Sequence, residues 1–536
     1  MEKLLLLGDE AIAQGAIDAG LSGIYAYPGT PSTEITEYVQ KSKFAKERNI
    51  RSKWSANEKT AMEAGLGMSY TGKRAMVCMK HVGLNVAADA FINSSITGAN
   101  GGLMVVAADD PSMHSSKNEQ DSRFFGNFAM IPILEPTNQQ EAYDMAYSGF
   151  ELSEKYHTPV LLRITTRLAH SRAGVKRKTV RAQNEIKLPT NLTQFVLLPA
   201  IARKQYKVLL GNQKNFEEES EKSEFNKYYE GTDKSSGIIA CGIAYNYLME
   251  NISNSNCKSP ILKISQYPLP RNMVEKITKE CETIIVLEDG YPLVEQALKG
   301  YLGNCLKVSG RLDGTIPRDG ELNPNIVGKA IGMDGAQVKP APGIISPRPP
   351  SLCAGCPHID SFNAMNEVIA IYGKGKVFSD IGCYTLAALP PYQSINSCVD
   401  MGASITMAKG AADAGLKPAI AVIGDSTFTH SGITGLLDAV NDKSHITVFI
   451  LDNGTTGMTG GQDSSATGRI EDICEGVGVE PEHIRVINPH RRFDKENVEI
   501  YKEELEYEGV SVIIPRRECI QTIGKHKKEQ KSKEKV

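Results

Sequence analysis

Two places in the chain combine residue types and spacing suited to holding a phosphate-bridging cation. Ala419-Ile420-Ala421-Val422-Ile423 is an apolar run that stops at Gly424-Asp425-Ser426, and the run Ile446 to Leu451 stops at Asp452-Asn453-Gly454. Open α/β sheets bind ligands at the carboxyl ends of their strands. One Asp, one Asn and a neighbouring backbone carbonyl are the hard oxygen donors that Mg2+ takes, with positions left for phosphate oxygens. Glycine at 424 and 454 would let the backbone approach those phosphates. The same three residues, Gly-Asp-Ser, also cap a strand-to-helix turn with no metal involved.

Other candidates stand elsewhere. Cys353-Ala354-Gly355-Cys356 is a Cys-x-x-Cys, which serves equally as a zinc half-site, a redox pair or an iron–sulfur half-site. Zinc would want a second close pair, and none of the other nine cysteines forms one. Ser55-Ala56-Asn57-Glu58 opens a segment of helical character in which Glu58 reads as a first-turn acid favoured by the helix dipole, with Glu63 as a nearby competitor. Tyr27-Pro28-Gly29-Thr30-Pro31-Ser32-Thr33-Glu34 reads as a proline-stiffened turn with Ser or Thr capping the next helix. His81 is either an acid–base group or a loop histidine with a structural hydrogen bond.

The elements that must position these residues are legible as a repeating pattern. Short apolar runs at Lys3–Gly8, Ile24–Tyr27, Ala75–Met79, Leu103–Ala107 and Val160–Ile164 alternate with segments of helical period, which argues for a parallel sheet covered by helices on both faces. A polar Lys/Glu-rich stretch from Ile201 to Ser236 reads as a solvated helix or linker. A second series follows at Gly237–Cys241, Ile261–Ile264 and Thr283–Leu287. The proline-rich stretch from Lys339 to Pro350 is a predicted linker, and a third series holds the strands Ala419–Ile423, Thr447–Leu451 and Val510–Ile514.

Composition narrows the classes. With 41% hydrophobic residues, 23% charged residues and a net charge of −3 over 536 residues, the chain is in the ordinary globular range, with no nucleic-acid or membrane surface expected. No run approaches the roughly 20 apolar residues of a membrane span or a signal-peptide core. Eleven cysteines, an odd number at low density, suit a reducing compartment, so a cytoplasmic protein is expected.

Gly424-Asp425-Ser426, followed 28 residues after its Asp by Asn453, resembles the thiamine diphosphate motif, in which Gly-Asp-Gly is followed at that distance by Asn-Asn. Ser426 and Asp452 depart from the pattern, and neither removes a metal ligand. The Glu58 segment resembles the activating-glutamate segment of the pyrimidine domain, and Tyr27–Glu34 resembles the Tyr-Pro-x-Thr-Pro-Ser segment of 2-oxoacid:ferredoxin oxidoreductases, whose threonine contacts the substrate carboxylate. Met79-Lys80-His81-Val82-Gly83-Leu84-Asn85 and Asn118-Glu119-Gln120-Asp121-Ser122-Arg123 are similar to the indolepyruvate branch of that family. The family's [4Fe–4S] cluster is held by a Cys-x-x-Cys, a cysteine after Asp-Ile-Gly and another near the domain end. Cys353, Cys356, Cys383 and Cys519 match these, with Glu518 replacing the proline usual before the last. The cysteines at 78, 241, 257, 281, 305, 398 and 474 are then small buried hydrophobes.

The resemblance covers nearly the whole chain and implies an α/β protein of three doubly wound domains of the thiamine-diphosphate-binding, transketolase-like type. These are a pyrimidine-binding domain (1–190), a linker with a transketolase-C-terminal-like domain (191–340) and a diphosphate-binding domain (345–524), with a disordered lysine-rich tail (525–536). It implies a cofactor lying between the first and third domains, Mg2+ on Asp425, Asn453 and the carbonyl of Thr455, and Gly424, Ser426 and Met458 around the cofactor. Glu58, Thr30 and His81 would be catalytic, and one [4Fe–4S] cluster would sit on the four cysteines. The implied reaction is oxidative decarboxylation of a 2-oxo acid, with electrons passing through the cluster to ferredoxin and the acyl group to coenzyme A, in company with a small beta subunit. Met458 stands where the pyruvate enzymes place an asparagine, and its polarizable chain suits an arylpyruvate. Members of this branch usually continue into a ferredoxin-like extension with two more clusters, and this chain ends 17 residues after Cys519, so a single cluster is expected. The rival readings are a non-oxidative thiamine diphosphate decarboxylase or lyase, which needs no cluster, and a catalytically silent scaffold subunit.

Overall fold

The computed structural model describes residues 3–191, 194–253, 257–300, 307–333, 343–345, 351–398 and 400–523. Most of the expected linker (339–342 and 346–350), the expected tail and Cys305 lie outside them. The chain divides into two compact units, Met1–Pro340 and Ala341–Val536.

The first unit holds two sheets. The larger has seven strands in the spatial order Gln266–Tyr267, Ile133–Leu134, Val160–Thr165, Leu103–Asp109, Ala75–Lys80, Gly23–Ala26, Arg51–Trp54, all parallel except the first, which runs antiparallel to Ile133–Leu134. Apart from Arg163 and the polar residues at their carboxyl ends, its central strands are apolar because both faces are covered. Met76, Cys78, Met104 and Val106 enter one core, while Ala75, Val77, Leu103 and Val105 enter the other, as the period of two requires. The Lys3–Leu7 run, expected in this sheet, instead pairs antiparallel with Arg172–Lys176. Leu5 is exposed and only Leu6 of the run is buried, so a strand of this kind fits a half-solvated ribbon and not a sheet covered on both faces.

The Lys/Glu-rich stretch is mainly one long helix, Pro199–Lys222, with Leu209, Phe216 and Ser220 buried. The second sheet follows in the order Lys307–Ser309, Thr283–Leu287, Ser236–Cys241, Ile261–Ile264, Lys227–Tyr229, parallel except at the last strand. A buried ion network ties the two sheets of this unit together. Arg163, on the larger sheet, donates from Nε to Asp109 Oδ2 at 2.6 Å, pairs with Glu135, and reaches the Asp289 carbonyl at 2.8 Å. Arg123 pairs with Asp121, lies 3.1 Å from Glu288 Oε2, and donates to the Tyr291 carbonyl at 2.8 Å. Burial pushes the Asp109 and Glu288 carboxyls up, whereas at Asp121 burial is outweighed by Arg123 and Arg163, which hold it at about 2.

The second unit is built on five parallel strands ordered Val377–Ser379, Ala419–Gly424, Ile446–Leu451, Val510–Pro515, Ile484–Ile487. Ala419, Ala421 and Ile423 face one core, and Ile420 and Val422 the other. Among the described residues no helix is long and apolar enough to cross a membrane.

Replacing one partner of a buried ion network leaves uncompensated charge behind, at a cost of about 3–5 kcal/mol. Arg163→Met is therefore expected to destabilise the first unit by about that amount. Trp54, the only tryptophan of the chain, lies in the seven-stranded sheet, so its fluorescence during urea unfolding reads that unit. An unfolding midpoint equal to that of the parent protein would show that the network contributes nothing.

Candidate active site

In the seven-stranded sheet the chain leaves Gly23–Ala26 for the edge strand Arg51–Trp54 and returns to Ala75–Lys80 on the other side of the first strand. The strand order thus reverses between 23–26 and 75–80, and the crevice at such a reversal, outside the carboxyl ends, is where open sheets bind ligands. Thr30 follows the carboxyl end of the first of these strands, Glu58 that of the edge strand and His81 that of the third. Three segments distant in sequence therefore converge at one end of one sheet.

Glu58 is the first residue of the helix Glu58–Tyr70, which starts on Asn57, whose side chain accepts the Thr60 N–H at 2.8 Å. Although it occupies a first turn, Glu58 is only 6% exposed. A Cβ at Gly83 would lie 2.5 Å from Glu58 Oε1, so glycine is required there for the helix His81–Val86 to pack against this carboxylate. Glu63, by contrast, is exposed and pairs with Lys59. Ser32 does not cap its helix as expected: its hydroxyl donates back to the Gly29 carbonyl at 2.7 Å, while Thr33 Oγ1 accepts the Gly29 N–H at 3.1 Å. Both bonds fold the turn that presents Thr30, whose carbonyl also accepts from Ser115 Oγ at 3.3 Å.

His81 is buried, with Nε2 at 3.2 Å from the Asn118 carbonyl oxygen. A carbonyl only accepts, so Nε2 carries a proton in that contact, and Nδ1 has no hydrogen-bond partner among the described residues. Lys80 was not singled out from the sequence. Its methylenes pack on Gly29, its Nζ donates to the Ser115 carbonyl at 2.9 Å, and burial lowers its ammonium to about 8. A lysine ending an otherwise apolar strand was the available signal.

In the second unit, Asp425 begins a helical turn directly after Ala419–Gly424, and the helix passes into a π-type turn over Phe428–Gly432, a distortion frequent at functional sites. Asp425 is 2% exposed, and its Oδ2 has no hydrogen-bond partner among the described residues. Burial, and then the charge of Asp452, push it up to about 7. A carboxylate held this way in a buried turn fits a cation ligand. Asn453 Oδ1 accepts the Thr455 N–H at 3.1 Å, and its Nδ2 lies 3.2 Å from Nε2 of His358, a buried ring that burial lowers to about 4 and so keeps neutral. Thr456 Oγ1 donates to Ser426 Oγ at 2.9 Å, tying the two strand ends together. At Gly424 a Cβ would lie 2.7 Å from the Tyr384 ring, a packing reason for glycine beside the expected phosphate approach. Gly454 has φ +73°, which favours glycine. Asp452 is taken up by Arg516, whose Nε donates to Oδ2 at 2.6 Å. Met458 is 54% exposed.

The four cysteines singled out from the sequence converge. The Cys356 N–H donates to the Cys353 carbonyl at 3.0 Å, and a Cβ on Gly457 would lie 3.5 Å from the sulfur of Cys383 and 3.9 Å from that of Cys519. Burial, and then the other three cysteines, push the Cys383 thiol up to about 12, and burial with Cys353 and Cys519 pushes Cys356 up to about 11. Such thiols ionise readily only with a metal to accept the charge. The Cys519 N–H donates to the Asn453 carbonyl at 3.1 Å, so one backbone contact joins the cysteine group to the Asp/Asn turn. Arg516 and Arg517, unremarked in the sequence, fix this segment: Arg517 Nη1 donates to Asp360 Oδ2 at 2.7 Å on the helix that follows Cys356.

Residues 14–221 match the pyruvate flavodoxin/ferredoxin oxidoreductase thiamine-diphosphate-binding family, and residues 380–514 match the C-terminal domain of thiamine pyrophosphate enzymes. The indolepyruvate oxidoreductase subunit IorA of Archaeoglobus fulgidus is 40% identical over 97% of this chain and 86% of its own length, and that of Methanothermobacter thermautotrophicus 38% identical over 98% and 88%. A solved 2-oxoglutarate:ferredoxin oxidoreductase from Magnetococcus marinus superposes with a TM-score of 0.49 at 17% identity, covering 57% of this chain and 62% of that one. With such identity sustained along nearly its whole length, the chain belongs to the indolepyruvate oxidoreductase IorA family, among the thiamine-diphosphate-dependent 2-oxoacid:ferredoxin oxidoreductases.

Proposed function

We propose that this chain catalyses the ferredoxin-dependent oxidative decarboxylation of arylpyruvates to arylacetyl-coenzyme A and CO2, working with a small beta subunit. The observation that carries the oxidative reading is the contact between the Asp/Asn turn and the cysteine group, through Cys519 N–H to Asn453 and through Gly457 beside Cys383 and Cys519. A non-oxidative decarboxylase has no use for four thiols beside its diphosphate turn.

On this reading residues 1–190 bind the aminopyrimidine, 191–340 form the linker and transketolase-C-terminal-like domain, and 345–524 bind the diphosphate. Asp425, Asn453 and the Thr455 carbonyl hold Mg2+, and Cys353, Cys356, Cys383 and Cys519 hold a [4Fe–4S] cluster. Bound thiamine diphosphate supplies the carbanion chemistry that decarboxylates 2-oxo acids, and the cluster accepts electrons one at a time. The protein's own groups do the rest. Glu58, kept dry by Gly83 and the helix behind it, would accept a hydrogen bond from the aminopyrimidine of the bound cofactor. Thr30 receives the substrate carboxylate, and Nδ1 of His81 takes or returns a proton. Met458, half exposed at the tip of its loop, packs against the aryl ring. An anaerobic assay of coenzyme-A-dependent dye reduction with the small subunit present, comparing indolepyruvate, phenylpyruvate, pyruvate and 2-oxoglutarate, tests the substrate class. Preference for pyruvate would exclude the aryl reading.

Three outcomes follow for variants. Asp425→Ala removes one of the few protein oxygens on the ion that bridges the diphosphate, so calorimetry at millimolar Mg2+ should detect no thiamine diphosphate binding; unchanged affinity would remove the metal assignment. Glu58→Gln keeps the shape and loses the charge, so the cofactor stays bound while turnover falls by more than about 10²-fold, the lower range for acid–base groups. Glu63→Gln, on an exposed side chain, should retain activity, and the reverse result would mean that the wrong carboxylate was chosen. Cys383→Ser and Cys519→Ser should each lose most of about four irons per chain, as for a cluster on four thiolates, while still binding thiamine diphosphate. Full iron retention, or one zinc per chain in the parent protein, would overturn the cluster assignment.

A further inference from the structure

Asp9 lies in the first turn of the helix Gly8–Asp18, wholly buried, and neither of its carboxyl oxygens has a hydrogen-bond partner among the described residues. Its neighbours do not offset its charge. Glu34 and Glu10 add negative charge, and the nearby Cys78 is a thiol pushed well up by burial and by Asp9 itself. Glu10 is turned to the Leu7 N–H, which it accepts at 2.8 Å. Among the described residues no arginine or lysine forms an ion pair with Asp9, although a buried, unpaired carboxylate is costly.

Two other side chains share the space. Glu34, on the helix Thr33–Lys41, directs Oε2 inward with no donor at ordinary hydrogen-bond distance, and His170, at the end of the helix Thr166–His170, places Nε2 3.7 Å from that oxygen, near enough to lower the Glu34 carboxyl and raise its own imidazole. One ligand atom from each of Asp9, Glu34 and His170 lies within 4.8 Å of the other two. Each residue comes from a different element, and the partial exposure of Glu34 and His170 leaves a path from solvent.

We infer that Asp9, Glu34 and His170 hold a divalent first-row transition cation, distinct from the Mg2+ proposed on Asp425 and Asn453. Two carboxylates and one imidazole are a mixed oxygen and nitrogen set suited to Mn2+, Fe2+ or Zn2+, with water completing the coordination. The cation neutralises Asp9 and fastens the helix bearing Glu34, four residues beyond Thr30, to the helix that starts the first domain. The site is structural: it steadies the turn before the Thr33–Lys41 helix and takes no part in the reaction.

The probe is Mn2+, a hard ion that leaves thiols alone, added to the intact chain without thiamine diphosphate so that no diphosphate competes. Electron paramagnetic resonance of free Mn2+ should register one bound equivalent, and pulsed spectra should carry a nitrogen coupling from imidazole. Loss of an outer-shell partner weakens metal sites roughly 10–100-fold, so loss of a ligand in Asp9→Asn or His170→Ala should lower affinity by about 100-fold or more. The nitrogen coupling should vanish in His170→Ala, whose partly exposed side chain keeps the test open should Asp9→Asn fold poorly. Asp425→Ala should keep the Mn2+, which separates this site from the proposed diphosphate site. Absence of Mn2+ binding at millimolar concentration, or undiminished affinity in His170→Ala, would overturn the inference.

Discussion

The two arginines buried between the sheets of the first unit set the constraint on which its remaining features depend. Arg123 and Arg163 are surrounded by Asp109, Asp121, Glu135 and Glu288, so carboxyls outnumber guanidinium groups, and burial drives Asp109 and Glu288 upward. Hydrophobic residues of the same volume would pack there without a desolvation penalty. What the ions add is direction. Each guanidinium fork also reaches a backbone carbonyl, of Asp289 or Tyr291, in the turn after the second sheet's Thr283–Leu287 strand, which fixes the rotation of one sheet on the other.

That constraint extends into the candidate site. Arg123 ends the Asn118–Arg123 segment, and the Asn118 carbonyl at its other end is the acceptor for the His81 Nε2–H. Ser115, just ahead of the segment, bonds both Lys80 and the Thr30 carbonyl. A loop anchored at one end by a buried ion network thus holds the histidine, lysine and threonine segments in register. Sites positioned through rigid supporting contacts of this kind keep the sub-ångström tolerances that catalysis requires.

The second unit joins its turns by hydrogen bonds and by the ion pairs of Arg516 and Arg517. Its Asp425 and Asn453 stand at the ends of adjacent strands, and Thr456 to Ser426 locks one turn to the other. Because the Cys519 N–H reaches the Asn453 carbonyl, the segment that supplies a thiol is also hydrogen-bonded to the turn that supplies an amide oxygen. Arg516 consumes the charge of Asp452, which explains why an aspartate is tolerated where the motif has an asparagine.

By itself the sequence marked the central strands, because runs such as Ala75–Met79 and Ala419–Ile423 are apolar at every position, as strands covered on both faces require, while the edge strands Arg51–Trp54, Val377–Ser379 and Ile484–Ile487 carry no such run. It also marked Asp425, Asn453 and the Cys353–Cys356 pair by residue type and local spacing, whereas Cys383 and Cys519 were picked out only by the family resemblance. It favoured Glu58 over Glu63 only through the resemblance of the segment around it; the packing adds that the His81–Val86 helix covers Glu58 and leaves Glu63 exposed. It placed the run Lys3–Gly8 in the parallel sheet, whereas Lys3–Leu7 pairs antiparallel with Arg172–Lys176 in a separate ribbon. The pairing of Arg123 with Glu288, the bond from Asn453 to Cys519, and the meeting of Asp9 with His170 join residues separated by tens to hundreds of positions. No periodicity records such contacts, and only the packing of whole elements brings those charges and donors within reach of each other.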